Sequence, residues 1–248
     1  MSRWLFDLGN TRLKAAPLRG DGGVGEVIAI DHRVIDVGAE LAARLPPRIE
    51  VAYLASVASE ALRIATLQAL TTRCQRISIA RTSRQWGGVR IAYAEPSRLG
   101  VDRFLSMLAV HARGDGAALV CGVGTALTLD LLDAAGVHRG GRIAPSPALM
   151  REALHRRAAQ LPVAGGSYRA FADDTVDALA SGCEGAALGL IDRSLAEAAG
   201  ELGRMPTLVL HGGGAGGLAP RLPQARLASN LVLEGLARWA TTDSRAAP

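Results

Sequence analysis

Short strand-like runs of apolar residues occupy two separate stretches of this 248-residue chain, and the two stretches follow the same order. In the first, Trp4-Leu5-Phe6 is an apolar run, Gly9-Asn10 a tight turn and residues 11–18 a return run, so a hairpin is expected. A third strand is expected over 26–30, and a helix over 39–44 stopped by Pro46-Pro47. Residues 51–55 form an apolar run short enough for a buried strand. Residues 59–71 have helical periodicity, with Ser59 in the capping position. Ile77-Ser78-Ile79 then completes a βαβ unit. Residues 84–98 read as loop-rich, and 101–113 as a helix.

The sequence Arg113-Gly114-Asp115-Gly116 marks a boundary and divides the chain into halves 1–115 and 116–248. Beyond it the first pattern begins again. Apolar residues 117–121 lead into the glycine turn Gly122-Val123-Gly124-Thr125, alternation resumes over 127–131, and a third strand is expected over 137–143. Helices fit 147–159 and 175–202. A strand over 207–210 runs into His211-Gly212-Gly213-Gly214-Ala215-Gly216-Gly217, and an apolar-faced helix over 231–240 precedes a polar tail. The repeated unit is strand, glycine turn with threonine, strand. Two such turns facing each other across a cleft suit the two ends of a triphosphate, and the later glycine run would let an adenine approach the backbone closely. Taken one at a time, each is simply a turn.

Composition narrows the function classes. Hydrophobic residues at 49% and charged residues at 21% exclude a mainly disordered chain. The net charge of +5 and pI near 9.7 permit anionic partners. Yet there is no basic run of five, and only three each of Tyr, Phe and Trp are available for stacking, which argues against dedicated nucleic-acid binding. Cys74, Cys121 and Cys183 lack metal or disulfide spacing and read as thiols of a reduced compartment. No stretch of about 18 apolar residues exists, and Asp7 interrupts the first apolar run too early for a signal sequence, so a soluble cytoplasmic protein with no membrane contact is expected. His32, His111, His138 and His155 lack metal-ligand spacing. His211 adjoins the glycine run, either near a nucleotide or as an ordinary turn histidine.

Two short segments carry candidate chemistry. Lys14 is the sole lysine among 28 basic residues, which suggests a position where a compact ammonium is wanted and a planar guanidinium is not. It lies in Asp7-Leu8-Gly9-Asn10-Thr11-Arg12-Leu13-Lys14, where a carboxylate, a hydroxyl, an ammonium and turn N–H groups together suit a polyphosphate and its magnesium ion. An accident of an arginine-biased composition is the alternative. In Gly100-Val101-Asp102-Arg103, at an expected helix start, Asp102 suits a general base and Arg103 a bidentate contact to phosphate or carboxylate. A helix-start aspartate beside an arginine is also common without any such role.

Asp7-Leu-Gly-Asn-Thr, Gly100-Val-Asp-Arg, Gly124-Thr-Ala-Leu-Thr, Gly140-Gly-Arg-Ile and His211-Gly-Gly-Gly-Ala together resemble the type III pantothenate kinases, from about Trp4 to Trp239. The resemblance implies an α/β fold of the acetate and sugar kinase, Hsc70 and actin superfamily, with two ribonuclease H-like halves flanking a nucleotide cleft. It implies ATP-dependent phosphorylation of pantothenate, the first step of coenzyme A synthesis, with ATP as donor and Mg2+ as the metal. By the same resemblance, residues 7–14 form the first nucleotide loop, with Asp7 holding magnesium through water, and Thr125 belongs to the second phosphate loop. Asp102 is then the catalytic base, and Tyr93, Gly100, Val101, Asp102 and Arg103 bind pantothenate. Thr175 reaches that pocket near the interface of a homodimer.

Two departures stand out against the family pattern. Where the family has an aspartate that binds a monovalent cation, this chain has Gly122, which puts potassium dependence in doubt. Where the family has Pro-Gly after Gly-Gly-Arg-Ile, this chain has Pro145-Ser146, and Ser146 is expected to cap the following helix. The rival readings are another small-molecule kinase or a phosphatase of the superfamily, separable by substrate competition, and a catalytically idle binding relative. An idle relative is expected to have lost Asp102 or the Asp7 loop, and both are present.

Overall fold

The computed structural model describes residues 2–31 and 37–246. His32 lies outside them. Two compact units result, one built from residues 1–114 and 230–248, the other from 115–229.

The first unit holds strands β1 (Arg3–Leu8), β2 (Arg12–Pro17), β3 (Ile28–Asp31), β4 (Ile49–Ser56) and β5 (Cys74–Ile79) in the order β3-β2-β1-β4-β5. The first three pair antiparallel, and β1, β4 and β5 run parallel. Phe6, Leu8, Leu13, Ala15 and Leu54 face one side of the sheet, where Leu41 and Leu45, from helix α1 (Val37–Arg44) and the turn after it, and Leu70 from α2 (Glu60–Thr71) close a core. Ser59 caps α2 by accepting from Leu62 N at 3.4 Å. The alternating residues, among them Leu5, Asp7, Lys14 and Tyr53, turn to the other face.

That second face is covered by α3 (Val101–Arg113) and α7 (Leu231–Ala246), which pack on β1 and β4 and on each other. They approach closely because Gly235 lies directly against the Leu105 carbonyl, leaving no room for a Cβ there. Trp239 sits edge-on to Tyr53 and stacked on Trp86, with ring centroids 6.3 and 6.1 Å apart. The expected second half ran to residue 248. The final helix instead belongs to the first unit, because its buried stripe of Leu233, Leu236, Ala237 and Ala240 meets α3 and the first sheet. The segment read as loop-rich contains a small hairpin of β6 (Gln85–Trp86) and β7 (Val89–Arg90) and a 3-10 turn at Pro96–Arg98.

The second unit repeats the first. Strands β8 (Ala118–Val123), β9 (Ala126–Leu132), β10 (His138–Pro145), β11 (Thr207–His211) and β12 (Arg226–Ala228) lie in the order β10-β9-β8-β11-β12, with the same alternation of antiparallel and parallel pairs. The internal repeat is therefore structural, and each sheet is ribonuclease H-like. Leu119, Cys121, Leu127, Leu129 and Leu210 form the core with Ala187, Ile191 and Leu195 of the long helix α5 (Thr175–Leu202). Helix α4 (Pro147–Arg157) starts at Ser146, whose hydroxyl accepts from Leu149 N at 3.3 Å, as the sequence implied. A short α6 (Ala215–Leu218) closes the glycine run. His138 has a structural place, buried 3.0 Å from Asp130. Among the described residues, no helix is long and apolar enough to cross a membrane.

Candidate active site

In the first unit the chemistry gathers where β1 ends and α3 begins. Asp7 is paired in register with Lys14 across the hairpin, and both point to the α3/α7 face by strand alternation. The turn between them is closed by Gly9 N donating to Arg12 O at 3.0 Å. Lys14 Nζ donates to Asn230 Oδ1 at 3.2 Å, so the sole lysine ties the hairpin to the residue preceding α7. Burial lowers the Lys14 pKa, the Asp7 charge raises it and Arg12 lowers it, with a net downward shift.

Asp102 is the second residue of α3. Its Oδ1 accepts from Arg103 N at 2.9 Å, folding the carboxylate back toward Gly100. A Cβ on Gly100 would stand 2.6 Å from that same oxygen, so this rotamer requires a glycine before the helix. Asp102 lies near enough to Asp7 for its charge to matter. Burial first, and then the Asp102 charge, push the Asp7 carboxyl up to about 7, against a smaller lowering by Lys14. A buried carboxyl whose ionisation is opposed by a neighbouring carboxylate, with one ammonium beside it, suits a site that receives a further cation.

Arg103 is buried, and its guanidinium donates to the Tyr93 hydroxyl at 3.4 Å while lying 5.9 Å from the ring centroid. The segment carrying Tyr93 is fastened at both ends. Thr82 Oγ1 donates to Leu99 O at 2.8 Å, and Arg84 donates to Ala94 O at 2.6 Å. The first unit thus brings together Asp7, Lys14 and Asp102, and places Gly100, Val101, Arg103 and Tyr93 around the same helix start. Leu8 and Leu13 are buried in the core on the opposite face; Asn10 and Arg12 are exposed, and Gly9 and Thr11 lie partly exposed in the turn. Sequence reasoning passed over Asn230, whose only signal was its position just ahead of an apolar-faced helix.

In the second unit, Gly124 and Thr125 form the exposed turn between β8 and β9, closed by Gly124 N donating to Ala126 O at 2.9 Å. The glycine run after β11 is held against this loop by Gly214 N donating to Val123 O at 2.9 Å. A cavity of about 160 Å³ opens there, lined by Val123, Gly124, Ser146, Pro147, Glu184 and Gly217 among others. Arg142 of the Gly-Gly-Arg-Ile motif is engaged by α5, donating to Ser194 Oγ at 2.8 Å and to Glu197. Thr175 is exposed at the first turn of α5, which Asp174 caps by accepting from Val176 N and Asp177 N at 2.8 and 2.9 Å.

Comparison with known proteins places the chain in a family. Residues 4–197 match the family described as type III pantothenate kinase. A type III pantothenate kinase of Stenotrophomonas maltophilia (strain R551-3) is 55% identical over 244 residues, covering 97% of this chain and 98% of the relative. One from Xanthomonas campestris pv. campestris (strain B100) is 55% identical over 241 residues, with the same coverage. Among solved structures, a putative Baf family transcriptional activator from Campylobacter jejuni superposes with a TM-score of 0.64 at 19% identity, covering 98% of this chain and 99% of that one. A putative 2-dehydro-3-deoxygalactonokinase from Sinorhizobium meliloti gives 0.58 at 14% identity, covering 99% and 100%. At such identities the two structures speak to the fold alone, the pair of mixed α/β sheets described above.

Proposed function

This chain belongs to the type III pantothenate kinase family, and we propose from that premise how its residues carry out the reaction. The enzyme transfers a phosphoryl group from ATP to pantothenate in coenzyme A biosynthesis. In this reading Asp102 accepts the proton of the attacking primary hydroxyl, and Arg103, oriented by Tyr93, binds the anionic end of the substrate with Gly100 and Val101 alongside. Residues 7–14 meet the nucleotide phosphates in the first unit, and Thr125 does so in the second. The observation that carries the reading is Asp7, register-paired with Lys14 and close enough to Asp102 to feel its charge, which sets a cation-seeking carboxylate beside a base.

A divalent metal fits these residues. The Asp7 carboxyl, buried and opposed by the Asp102 charge, gains from a cation placed beside it. Magnesium suits such a place, since it keeps its waters and binds one or two carboxylates together with substrate phosphates. Asp7 would hold it, through water, and the bound ion would neutralise charge on the transferring phosphates. Lys14 supplies a fixed positive charge opposite Asp7. ATP-dependent formation of 4′-phosphopantothenate by the purified protein, with and without magnesium, tests the assignment. Turnover of sugars or acetate in preference to pantothenate would contradict it.

Gly122 gives a monovalent cation no carboxylate. Turnover is therefore expected to be flat across sodium, potassium and ammonium salts at fixed ionic strength, and steep saturable activation by potassium would show that other ligands build such a site.

The working form is a homodimer in which Thr175 of one chain completes the pantothenate pocket of the other. The exposure of Thr175, together with exposed apolar Val163, Phe171 and Val176 nearby in sequence, supports a covered surface there. Mixing an inactive Asp102→Asn chain with an inactive Thr175→Ala chain is expected to restore activity in the mixed dimer. A fully active monomer, or verified mixed dimers without rescue, would contradict this arrangement.

A further inference from the structure

The internal repeat makes Asp7 and Gly122 counterparts, each the next-to-last residue of the first strand of its sheet. Their neighbours differ in an instructive way. Asp7 faces Lys14 on the antiparallel side and Ala55 on the parallel side. Gly122 faces Thr128 and His211 in the same two places. The large polar group has moved from the first strand to its parallel neighbour, and a carboxylate has given way to an imidazole. The exchange is steric as well as chemical. A Cβ at residue 122 would lie 2.7 Å from Thr128 Oγ1 and 3.1 Å from His211 Nε2, so these two side chains fill the space a residue-122 side chain would need.

All three positions alternate with core residues, Cys121, Leu127 and Leu210, and therefore lie on the face away from α5. Thr128 and His211 are only partly buried, at the strand ends beside the exposed Gly124-Thr125 turn. The Gly214-to-Val123 hydrogen bond holds the end of β11 against that turn.

We propose that His211 is a phosphate-contacting residue of the second loop, its imidazole N–H and the Thr128 hydroxyl forming the floor on which the nucleotide phosphates rest beside Thr125. The two side chains offer donors to phosphate oxygens where a carboxylate on residue 122 would repel them. The inference rests on the reading that the chain binds ATP. It adds a residue type to the loop that the Gly-Thr motif alone does not specify.

The test is binding of ATP, ADP and adenosine to the full chain, with adenosine measured by competition, for the wild type, His211→Ala and His211→Gln. His211→Ala weakens ATP and ADP by roughly tenfold, the loss of one charge-assisted hydrogen bond, and leaves adenosine unchanged. His211→Gln keeps a donor and much of the volume, so it falls between the two. It also keeps the test valid if the alanine variant unfolds, which a thermal melt reports. A loss equal for all three ligands makes His211 structural and overturns the proposal, as does ATP binding untouched by either variant. A wild type that does not bind ATP overturns the nucleotide reading itself, and this proposal with it.

Discussion

Asp102→Asn lowers turnover by about 10²–10⁴-fold while the protein still folds and binds ATP, the range expected when a general base is removed. Asparagine is nearly isosteric and retains an oxygen at Oδ1 to accept from Arg103 N, so the start of α3 and the placement of Arg103 survive. What disappears is the proton acceptor. The variant should show its deficit in kcat with little change in the concentration of pantothenate needed for half-saturation, because the Arg103–Tyr93 contact proposed to hold the substrate is untouched. Steady-state kinetics beside circular dichroism and ATP titration separate these effects. Near-normal turnover by a folded variant would remove Asp102 from the mechanism.

Asp7→Asn abolishes most activity and at the same time makes the metal-free protein more stable at neutral and alkaline pH. The Asp7 carboxyl, ordinarily near 3.8, is pushed up to about 7 by burial and by Asp102. Between those values the folded state holds a proton that the unfolded state has released, so stability falls as pH rises through that window. The penalty is absent below about 4 and complete above about 7. A rise of about three in pKa corresponds to on the order of 4 kcal/mol at most. The neutral amide escapes it. Melting curves in chelator at pH 5 and pH 8 should show a gain that is larger at pH 8, and magnesium with ATP should stabilise the wild type far more than the variant. A variant that melts below the wild type at pH 8 would mean that burial of this charge carries no such cost.

How far the sequence disclosed this arrangement depends on the distance over which each signal acts. Local signals were legible. The bounds expected for α3 and α5, 101–113 and 175–202, are those the structure has, with Gly100 and Gly114 flanking the one and Asp174 and Gly203 the other. The repeat of strand order followed from the repeat of pattern. The two-residue strands β6 and β7 and the three-residue β12 are too short to show a period, and they exist only because a neighbouring strand offers hydrogen bonds. The closing helix announced an apolar face but not its partner. Within the site, the motifs named Asp7 and Asp102 separately. Their mutual electrostatic effect, the Lys14–Asn230 bond and the crowding of His211 over Gly122 arise from strand register and helix packing, which no short window of sequence encodes.

The return of α7 to the first unit also sets an order of events on the ribosome. The first unit is begun ahead of the second and finished after it, since residues 230–248 belong to it and Asn230 lies 216 positions from the lysine it meets. The second unit, 115–229, is continuous and has all of its partners available as soon as it leaves the exit tunnel. The half translated later is thus the half able to close first. Until α7 has emerged, α3 lacks its partner helix and leaves the Leu105 backbone, which Gly235 later meets, uncovered. Emergence of α7 therefore completes the first unit, and a chain cut short before α7 has made its second sheet yet lacks the helix that covers its first.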